Sequence, residues 1–460
     1  MKPSAPTELG TRSVGLLLWQ YALPAIIAMT AASLYNNVDR IFIGHIAPDG
    51  GWGVSDGLPI SGLAVTFPFM NLAIAFGAMV GVGASTVISV RLGQKDYRTA
   101  QQVLGNTVVL NVIFGLLFTG LSLLYLDPIL RLFGASDATL PYASEYMRII
   151  LLGNIISHSY FGLNAVLRSA GHPRLAMYCT ILTVVINSIL DPILIFGLRL
   201  GIQGAAIATV LAQAVALAWQ FRILSRPSEV VRLQRGIYGL RLRIIRQIIA
   251  VGMSPFLINA CACLVVLLIN RGMLTHGGDL AIGAYGIVNS IIFFFLMMVM
   301  GFNQGMQPIV GYNWGARQNE RVWQCLRYTM LCATGVTTLG FLAGELIPEQ
   351  LTHIFTGDPQ ITALASRGFR ITVSIFPLVG AQMVIGNFFQ SIGHAGKSIF
   401  LSLTRQLLFL IPGLILLPLH YGLDGVWMAI PVADSASVIT AAAMLWWLVR
   451  HVEHETHRPA

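Results

Sequence analysis

Charged side chains are scarce in this sequence. Asp, Glu, Lys and Arg make up 10% of the 460 residues, whereas globular domains carry about 25%. Hydrophobic residues make up 55%, and the mean hydropathy is +0.73. So little charge cannot cover the surface of a soluble protein of this length, so the composition excludes that class and indicates an integral membrane protein.

Cysteine is scarce as well, and the five that occur are odd in number and lie in apolar segments. They therefore do not form a disulfide framework. No zinc-type Cys/His spacing and no catalytic triad stands out either. We therefore expect no cofactor and no enzymatic activity.

Long apolar stretches, by contrast, recur along the whole chain. Each has about 20 residues or more, enough to cross a bilayer as a helix. Twelve are found, at residues 15–45, 60–90, 98–126, 141–167, 174–198, 202–224, 247–274, 281–312, 320–347, 361–391, 397–418 and 424–450. The sequence thus predicts an all-α membrane protein with twelve transmembrane helices.

The positive charge falls in alternate breaks between these stretches. Lys2 and Arg12 precede the first stretch, and the longest break, at 225–246, holds six arginines. Most breaks on the other side contain Asp or Glu instead. This is the positive-inside pattern and predicts two cytoplasmic termini. The net charge of +9 therefore reflects topology, and we expect no nucleic-acid partner.

The two halves of the chain repeat each other. Gly83 and Gly93 correspond to Gly305 and Gly315 at an offset of 222 residues, and RSAGH at 168–172 corresponds to QSIGH at 390–394 at the same offset. Six helices is an even number, so both halves enter the membrane from the same side and form a parallel repeat.

The repeat divides the chain into two pseudo-symmetric six-helix lobes. We expect an N-lobe at 1–225, a cytoplasmic Arg-rich linker at 226–246 and a C-lobe at 247–460. This design places a substrate path between the lobes and suits alternating access.

The first apolar stretch contains an acid, Asp39. A carboxylate within a membrane helix costs about 2.5–3.5 kcal/mol on insertion scales, so its default interpretation is functional. At 1.5 Å per residue, the polar residues expected at depths of about 10–20 Å are Asp39, Asn154, Asn187, Asp191 and Thr209. Oxygen ligands of this kind suit a proton or a hard cation such as Na⁺, with Asp39, Asn187, Asp191 and Thr209 as the Na⁺ ligands. In the alternative, Asp39 lies just below the headgroups and Arg40 snorkels.

Other residues complete the candidate machinery. Pro24 and Pro192 weaken their helices locally and are candidate hinges. Tyr35, Asp434, Met297 and Met300 are candidates for the wall of a substrate cavity. Asp434 would either bind a cationic substrate or pair with Arg405.

Several stretches resemble one known family. They are LPAIIAMTAASLYNNVDRIFIGH, GVGASTVISVRLGQKDYRTAQQVLGN, LRSAGHPR and NSILDPILIFGLRLGIQGAAIATVLAQ. They are similar to the multidrug and toxic compound extrusion (MATE) family, in its prokaryotic DinF-like and MepA-like branch.

The resemblance implies twelve helices in two lobes and export of drugs or metabolites driven by inward Na⁺ or H⁺. It also implies that Asp39, Asn154, Asn187, Asp191 and Thr209 form the cation site of the N-lobe. Helix seven has no acid, so a corresponding C-lobe site is not expected. The resemblance further implies a monomeric multi-pass protein of the bacterial cytoplasmic (inner) membrane, whose partners are a small organic substrate and membrane lipids.

Three other functions remain open from the sequence. A lipid-linked saccharide flippase of the same superfamily would need more cationic residues in its cavity. A major-facilitator transporter would share the two parallel halves, but the break between the second and third stretches lacks its Gly-x-x-x-Asp-Arg signature. An intramembrane enzyme would need a base near a nucleophile.

Overall fold

The computed structural model describes residues 8–46, 52–53 and 57–456, and within these ranges the regular structure is helical. The helices are α1 (Glu8–Thr11), α2 (Val14–Gly44), α3 (Leu58–Gly93), α4 (Tyr97–Leu124), α5 (Leu126–Leu132), α6 (Leu140–Leu152), α7 (Asn154–Ser169), α8 (Pro173–Pro192), α9 (Ile202–Leu224), α10 (Leu242–Gly315), α11 (Asn319–Leu346), α12 (Pro348–His353), α13 (Pro359–Val373), α14 (Phe376–Ser391), α15 (Ala395–Leu403) and α16 (Ile411–Thr456). Two π-helical segments, Ile193–Gly197 and Thr404–Leu410, continue α8 and α15.

Two long helical runs each contain two spans. The run α10 breaks at Gly278, where φ is 68°, and α16 breaks at Gly422, where φ is 55°. Glycine adopts this left-handed backbone without the steric cost of a Cβ atom, so each break turns the chain back towards the membrane.

Two other spans are bent. The pair α6–α7 bends by 57° and the pair α13–α14 by 53°. With these pairs taken as single spans, and α10 and α16 divided at their glycines, the described residues form twelve spans. The predicted all-α, twelve-helix fold is confirmed.

The described residues form two compact units. The first contains residues up to Arg12, Leu23–Asn259 and Gly311–Gln318, and the second contains Ser13–Ala22, Ala260–Val310 and the residues from Asn319 onwards. Each unit has its own core, around Phe69 and Tyr146 in the first and around Phe369 and Trp427 in the second. The helix α10 begins at Leu242, inside the segment predicted as the linker.

The repeated glycines mark the closest helix contacts. A Cβ atom on Gly83 would overlap the carbonyl of Ile248, and one on Gly252 would overlap the carbonyl of Met79, so α3 and the start of α10 cross backbone to backbone in the first unit. In the second unit, a Cβ atom on Gly305 would lie 2.6 Å from the backbone nitrogen of Ala22. The repeat therefore preserves glycine where two helices touch without intervening side chains.

The loop between α3 and α4 ends in a helix cap. The Oδ1 atom of Asp96 accepts a hydrogen bond from the backbone nitrogen of Thr99 at 3.1 Å, and Oδ2 lies 3.7 Å from Arg91 Nη1. Burial raises the pKa of Asp96, but the bonds from Thr99 and the nearby arginine charges outweigh burial and leave that pKa below its usual value. The ionised cap therefore stabilises the start of α4.

Candidate functional site

Asp39 lies on α2 and is 7% exposed. The next residue, Arg40, points elsewhere and stacks over the ring of Phe67 at 5.4 Å. Adjacent residues on an α-helix diverge by about 100°, so α2 directs the acid inward and leaves the guanidinium on an exposed aromatic side chain. Asp39 is thus a buried carboxyl group on a different side of α2 from the Arg40 guanidinium, and the two charges still interact.

The second acid, Asp191, lies on α8 and is fully buried. Asn187, also fully buried, precedes it by one helical turn and so shares its face. With its oxygen facing Thr209, the Asn187 amide donates to Asp191 Oδ2 at 2.9 Å. In the same orientation that oxygen accepts a hydrogen bond from the Thr209 backbone nitrogen at 3.0 Å. This orientation satisfies both ends of the amide.

The carboxyl groups of Asp39 and Asp191 lie close enough to interact directly. These residues are 152 positions apart in the sequence and lie on different helices. Two ionised carboxylates at close range repel each other, so a single shared proton would relieve that repulsion. The contact therefore defines a diacid pair rather than two independent acids.

Two hydroxyl groups extend the pair. The Tyr35 hydroxyl, one turn before Asp39, lies 3.1 Å from Thr209 Oγ1, and Thr209 Oγ1 itself donates to the Ala205 carbonyl at 3.1 Å. The chain of contacts from Tyr35 through Thr209 and Asn187 to Asp191 is therefore continuous. It links α2, α8 and α9.

Asn154 lies beside this network. It is 2% exposed and is the first residue of α7, just after the bend at Gly153. The bend packs closely against α9, because a Cβ atom on Gly153 would lie only 2.4 Å from the side chain of Val210, the residue after Thr209. Among the described residues, Asn154 Nδ2 has no hydrogen-bond partner. No bond joins Asn154 to the diacid pair in this arrangement.

The sequence reasoning missed Tyr146 on α6. This tyrosine is 2% exposed and interacts electrostatically with Asp39, Asp191 and Tyr35. Neither a motif nor a helix register distinguishes it from other aromatic residues of the span. The position of α6 against the pair distinguishes it, and that position is tertiary information.

Each acid of the pair has one oxygen that forms no hydrogen bond with the described residues. Asp39 Oδ1 and Asp191 Oδ1 are buried and have no hydrogen-bond partner among the described residues. A buried polar atom without a partner costs about 1–3 kcal/mol, so two such atoms on neighbouring acids favour a bound proton or hard cation. The described residues contain no cluster of three or more His, Cys, Asp or Glu side chains. The ligand atoms present, carboxylate, amide and hydroxyl oxygens, fit Na⁺ or H⁺.

The remaining predicted residues take no part in the hydrogen bonds of this network. Pro24 lies within α2, and Pro192 ends α8 just before the π-helical segment Ile193–Gly197. Met297 is half-buried, and Met300 is 38% exposed.

Asp434, in the second unit, accepts a hydrogen bond on Oδ1 from Arg405 Nε at 2.7 Å. Asp434 was predicted either to bind a cationic substrate or to pair with Arg405, and the structure shows the pair with Arg405. Its role as a residue of the substrate cavity stays a prediction.

Twelve spans in two units, with a buried polar cluster in the first, define a polytopic integral membrane protein. The chain belongs to the MatE family, whose model matches residues 24–193 and 255–415. It is therefore a membrane transporter and not an enzyme. The resemblance drawn from the sequence is confirmed.

The chain is similar to curated relatives along nearly its whole length. It is 27% identical to the multidrug export protein MepA of Staphylococcus haemolyticus (strain JCSC1435), over 95% of this chain and 94% of that protein. It is 26% identical to MepA of Staphylococcus aureus (strain MSSA476), over 94% of this chain and 93% of that protein.

Solved structures agree. The MATE multidrug transporter DinF-BH, solved as a complex, is 35% identical, with a TM-score of 0.86 over 95% of this chain and 96% of that chain. A MATE structure in the bent conformation is 24% identical, with a TM-score of 0.90 over 99% of each chain, and shows the same fold. These similarities do not favour the flippase alternative.

Proposed function

We propose that the protein is a secondary active efflux transporter that exports amphiphilic, cationic drugs or metabolites by antiport with H⁺ or Na⁺. Membership in the MatE family supports the transporter class. The functions of the relatives, multidrug export for MepA and multidrug transport for DinF-BH, support drugs as the substrate class.

The observation that carries the ion coupling is the close approach of two buried carboxyl groups, those of Asp39 and Asp191, on different helices. In its protonated state the pair shares one proton. Loss of that proton leaves two negative charges in a site from which water is largely excluded, and the pair then takes up either a new proton or a Na⁺ ion. Asn187, Thr209 and Tyr35 orient the carboxyl groups and supply further oxygens.

Alternating access would act on this pair through the helices that hold it. Asp191 directly precedes Pro192 and a π-helical segment, and π-helical turns and prolines are common points of helix bending. Pro24 lies on α2, the helix of Asp39. A small bend at either proline would separate the carboxyl groups, so ion binding and helix geometry are coupled.

The membrane arrangement follows the charge pattern. We propose a bacterial cytoplasmic membrane protein, monomeric, with both termini cytoplasmic, an N-lobe at 1–225, a linker at 226–246 and a C-lobe at 247–460. Exchange of one monovalent ion for one monovalent organic cation moves no net charge, so the concentration gradient of the ion drives it. A tenfold ion gradient contributes about 1.4 kcal/mol and therefore supports a substrate gradient of about tenfold.

The test is efflux of a fluorescent organic cation from proteoliposomes, with Na⁺ and pH gradients imposed separately. We expect efflux with at least one of the two gradients and none without either. A substrate gradient that forms equally well without any ion gradient or potential would refute antiport.

A further inference from the structure

The acid pair of the first unit is covered by apolar side chains at one end. Ile43 follows Asp39 by one helical turn, Ile195 follows Asp191 by one turn, and both isoleucines are fully buried. They belong to the core of the first unit, which also contains Tyr146, the tyrosine that interacts electrostatically with both acids. The core therefore reaches the pair itself, and an ion meets an apolar barrier at this end.

On the opposite side of the pair the neighbouring turns are polar. Tyr35 precedes Asp39 by one turn of α2, and Asn187 precedes Asp191 by one turn of α8. Thr183 lies one turn further from the acids on the same face of α8 and is 9% exposed. The polar face of α8 therefore continues away from the acids, towards the start of that helix.

The neighbouring helix α7 continues this polar face with a buried tyrosine, Tyr160. The Tyr160 hydroxyl donates to Thr180 Oγ1 at 3.4 Å and interacts with the side chain of Thr183. Thr180 Oγ1 also accepts a hydrogen bond from Asn164 Nδ2 at 3.4 Å, and Asn164 Oδ1 accepts one from Nη1 of the half-buried Arg168. All of these residues belong to the first unit. Hydroxyl and amide groups therefore extend from the acid pair to a residue that reaches the surface.

These groups suit a proton better than a metal ion. A hydroxyl group both accepts and donates, so it can take up one proton and release another, and the hydroxyl is restored. A hard metal cation needs several oxygen ligands at once, whereas the hydroxyls of Tyr160 and Thr183 already donate to Thr180 Oγ1 and to the Cys179 carbonyl. The step from Asn187 to Thr183 is one helical turn, about 5.4 Å, which a single water molecule bridges.

We propose that Tyr160, Thr180 and Thr183 form the path by which the acid pair releases its proton, and that H⁺ is the coupling ion. This inference rests on the proposed antiport. The proton leaves the pair as a second carboxylate forms, passes through the hydroxyls of Thr183, Tyr160 and Thr180, and reaches water at the end held by Asn164 and Arg168. The positive-inside pattern predicts that this end is cytoplasmic, so release there completes the inward movement of the ion.

Two variants of the full-length protein in proteoliposomes test the path. Tyr160→Phe and Thr183→Val each remove one hydroxyl group and nearly keep the shape of the side chain. With an imposed pH gradient, each variant should export a fluorescent organic cation about tenfold more slowly, the effect of losing one hydrogen-bonded step. Each should still reach the wild-type substrate gradient, because the acid pair is intact. Replacing H₂O by D₂O should slow the variants more than the wild type, because proton transfer then limits the rate, and a merely structural role would not produce this difference.

A matched control and the acid pair itself separate the possible outcomes. Tyr285→Phe makes the same chemical change at a half-buried tyrosine of the second unit and should export at the wild-type rate. The path is overturned by wild-type rates in both Tyr160→Phe and Thr183→Val, by an equal loss in the control, by a lower final gradient in place of a lower rate, or by export that only a Na⁺ gradient drives. A wild-type gradient in Asp191→Asn would instead refute the coupling site from which the path starts.

Discussion

Replacing Asp191 by asparagine should abolish ion coupling and leave the protein folded. The amide has nearly the shape of the carboxyl group and can still hydrogen-bond to Asn187 and Asp39. No charge is left without a partner, because the substitution removes one of two acids that compete for a proton. We therefore expect the free energy of unfolding to change by less than about 1 kcal/mol, the net worth of a single neutral hydrogen bond.

The effect on transport should be far larger. With a tenfold ion gradient, exchange of one ion for one organic cation supports a substrate gradient of about tenfold. An asparagine at 191 cannot release a proton, so the pair cannot exchange its ion and the gradient should fall to about one. Asp39→Asn should have the same effect. Asp39→Asn/Asp191→Asn should be no worse than either single variant, because residues that act as one unit are not additive.

The assay is uptake and release of a fluorescent organic cation in proteoliposomes with an imposed Na⁺ or pH gradient. Asp127→Asn is a matched control, since it makes the same chemical change at an exposed residue in the first turn of α5. We expect that control to keep the full substrate gradient. Wild-type gradients in both Asp39→Asn and Asp191→Asn would refute the diacid pair as the coupling site.

Three further substitutions probe the structure by thermal or chemical unfolding. Asp434→Asn leaves the Arg405 guanidinium without its carboxylate and should destabilise the protein by about 3 kcal/mol. The double variant Arg405→Gln/Asp434→Asn should recover most of that loss. No recovery in the double variant would contradict the ion pair. Gly83→Ala forces two backbones apart and should lower the free energy of unfolding by about 1–3 kcal/mol. The control Gly120→Ala, at a glycine with open space around it, should be neutral or stabilising. Equal effects of the two substitutions would disprove the close contact at Gly83. Asp96→Ala should cost about 1 kcal/mol at pH 7. Since the pKa of Asp96 is lowered in the fold, this difference should vanish as the pH falls below about 4, and a difference that persists in acid would argue against the cap.

The membrane fold could be predicted from the sequence because its causes are local. A span needs about 20 apolar residues in a row. Loops rich in arginine stay on the cytoplasmic side, so the arginine content of each loop predicts the side on which it lies. The order of matched glycines, Gly83 with Gly305 and Gly93 with Gly315, was sufficient to reveal the repeat. The bend at 153 was not predicted, because no proline or unusual run of polar residues marks it. The bend at 374–375 was not predicted either, although Pro377 in the first turn of α14 is a signal for it.

The sequence alone determined which polar residues enter the membrane, since a buried acid such as Asp39 stands out against apolar neighbours. Only the tertiary structure decided which of them meet. Two helices bring the carboxyl groups of Asp39 and Asp191 together, α6 adds Tyr146, and the π-helical segment after α15 carries Arg405, which pairs with Asp434. Burial cost is a property of a residue and its neighbours in the chain, whereas pairing depends on how distant helices pack, which local sequence does not encode.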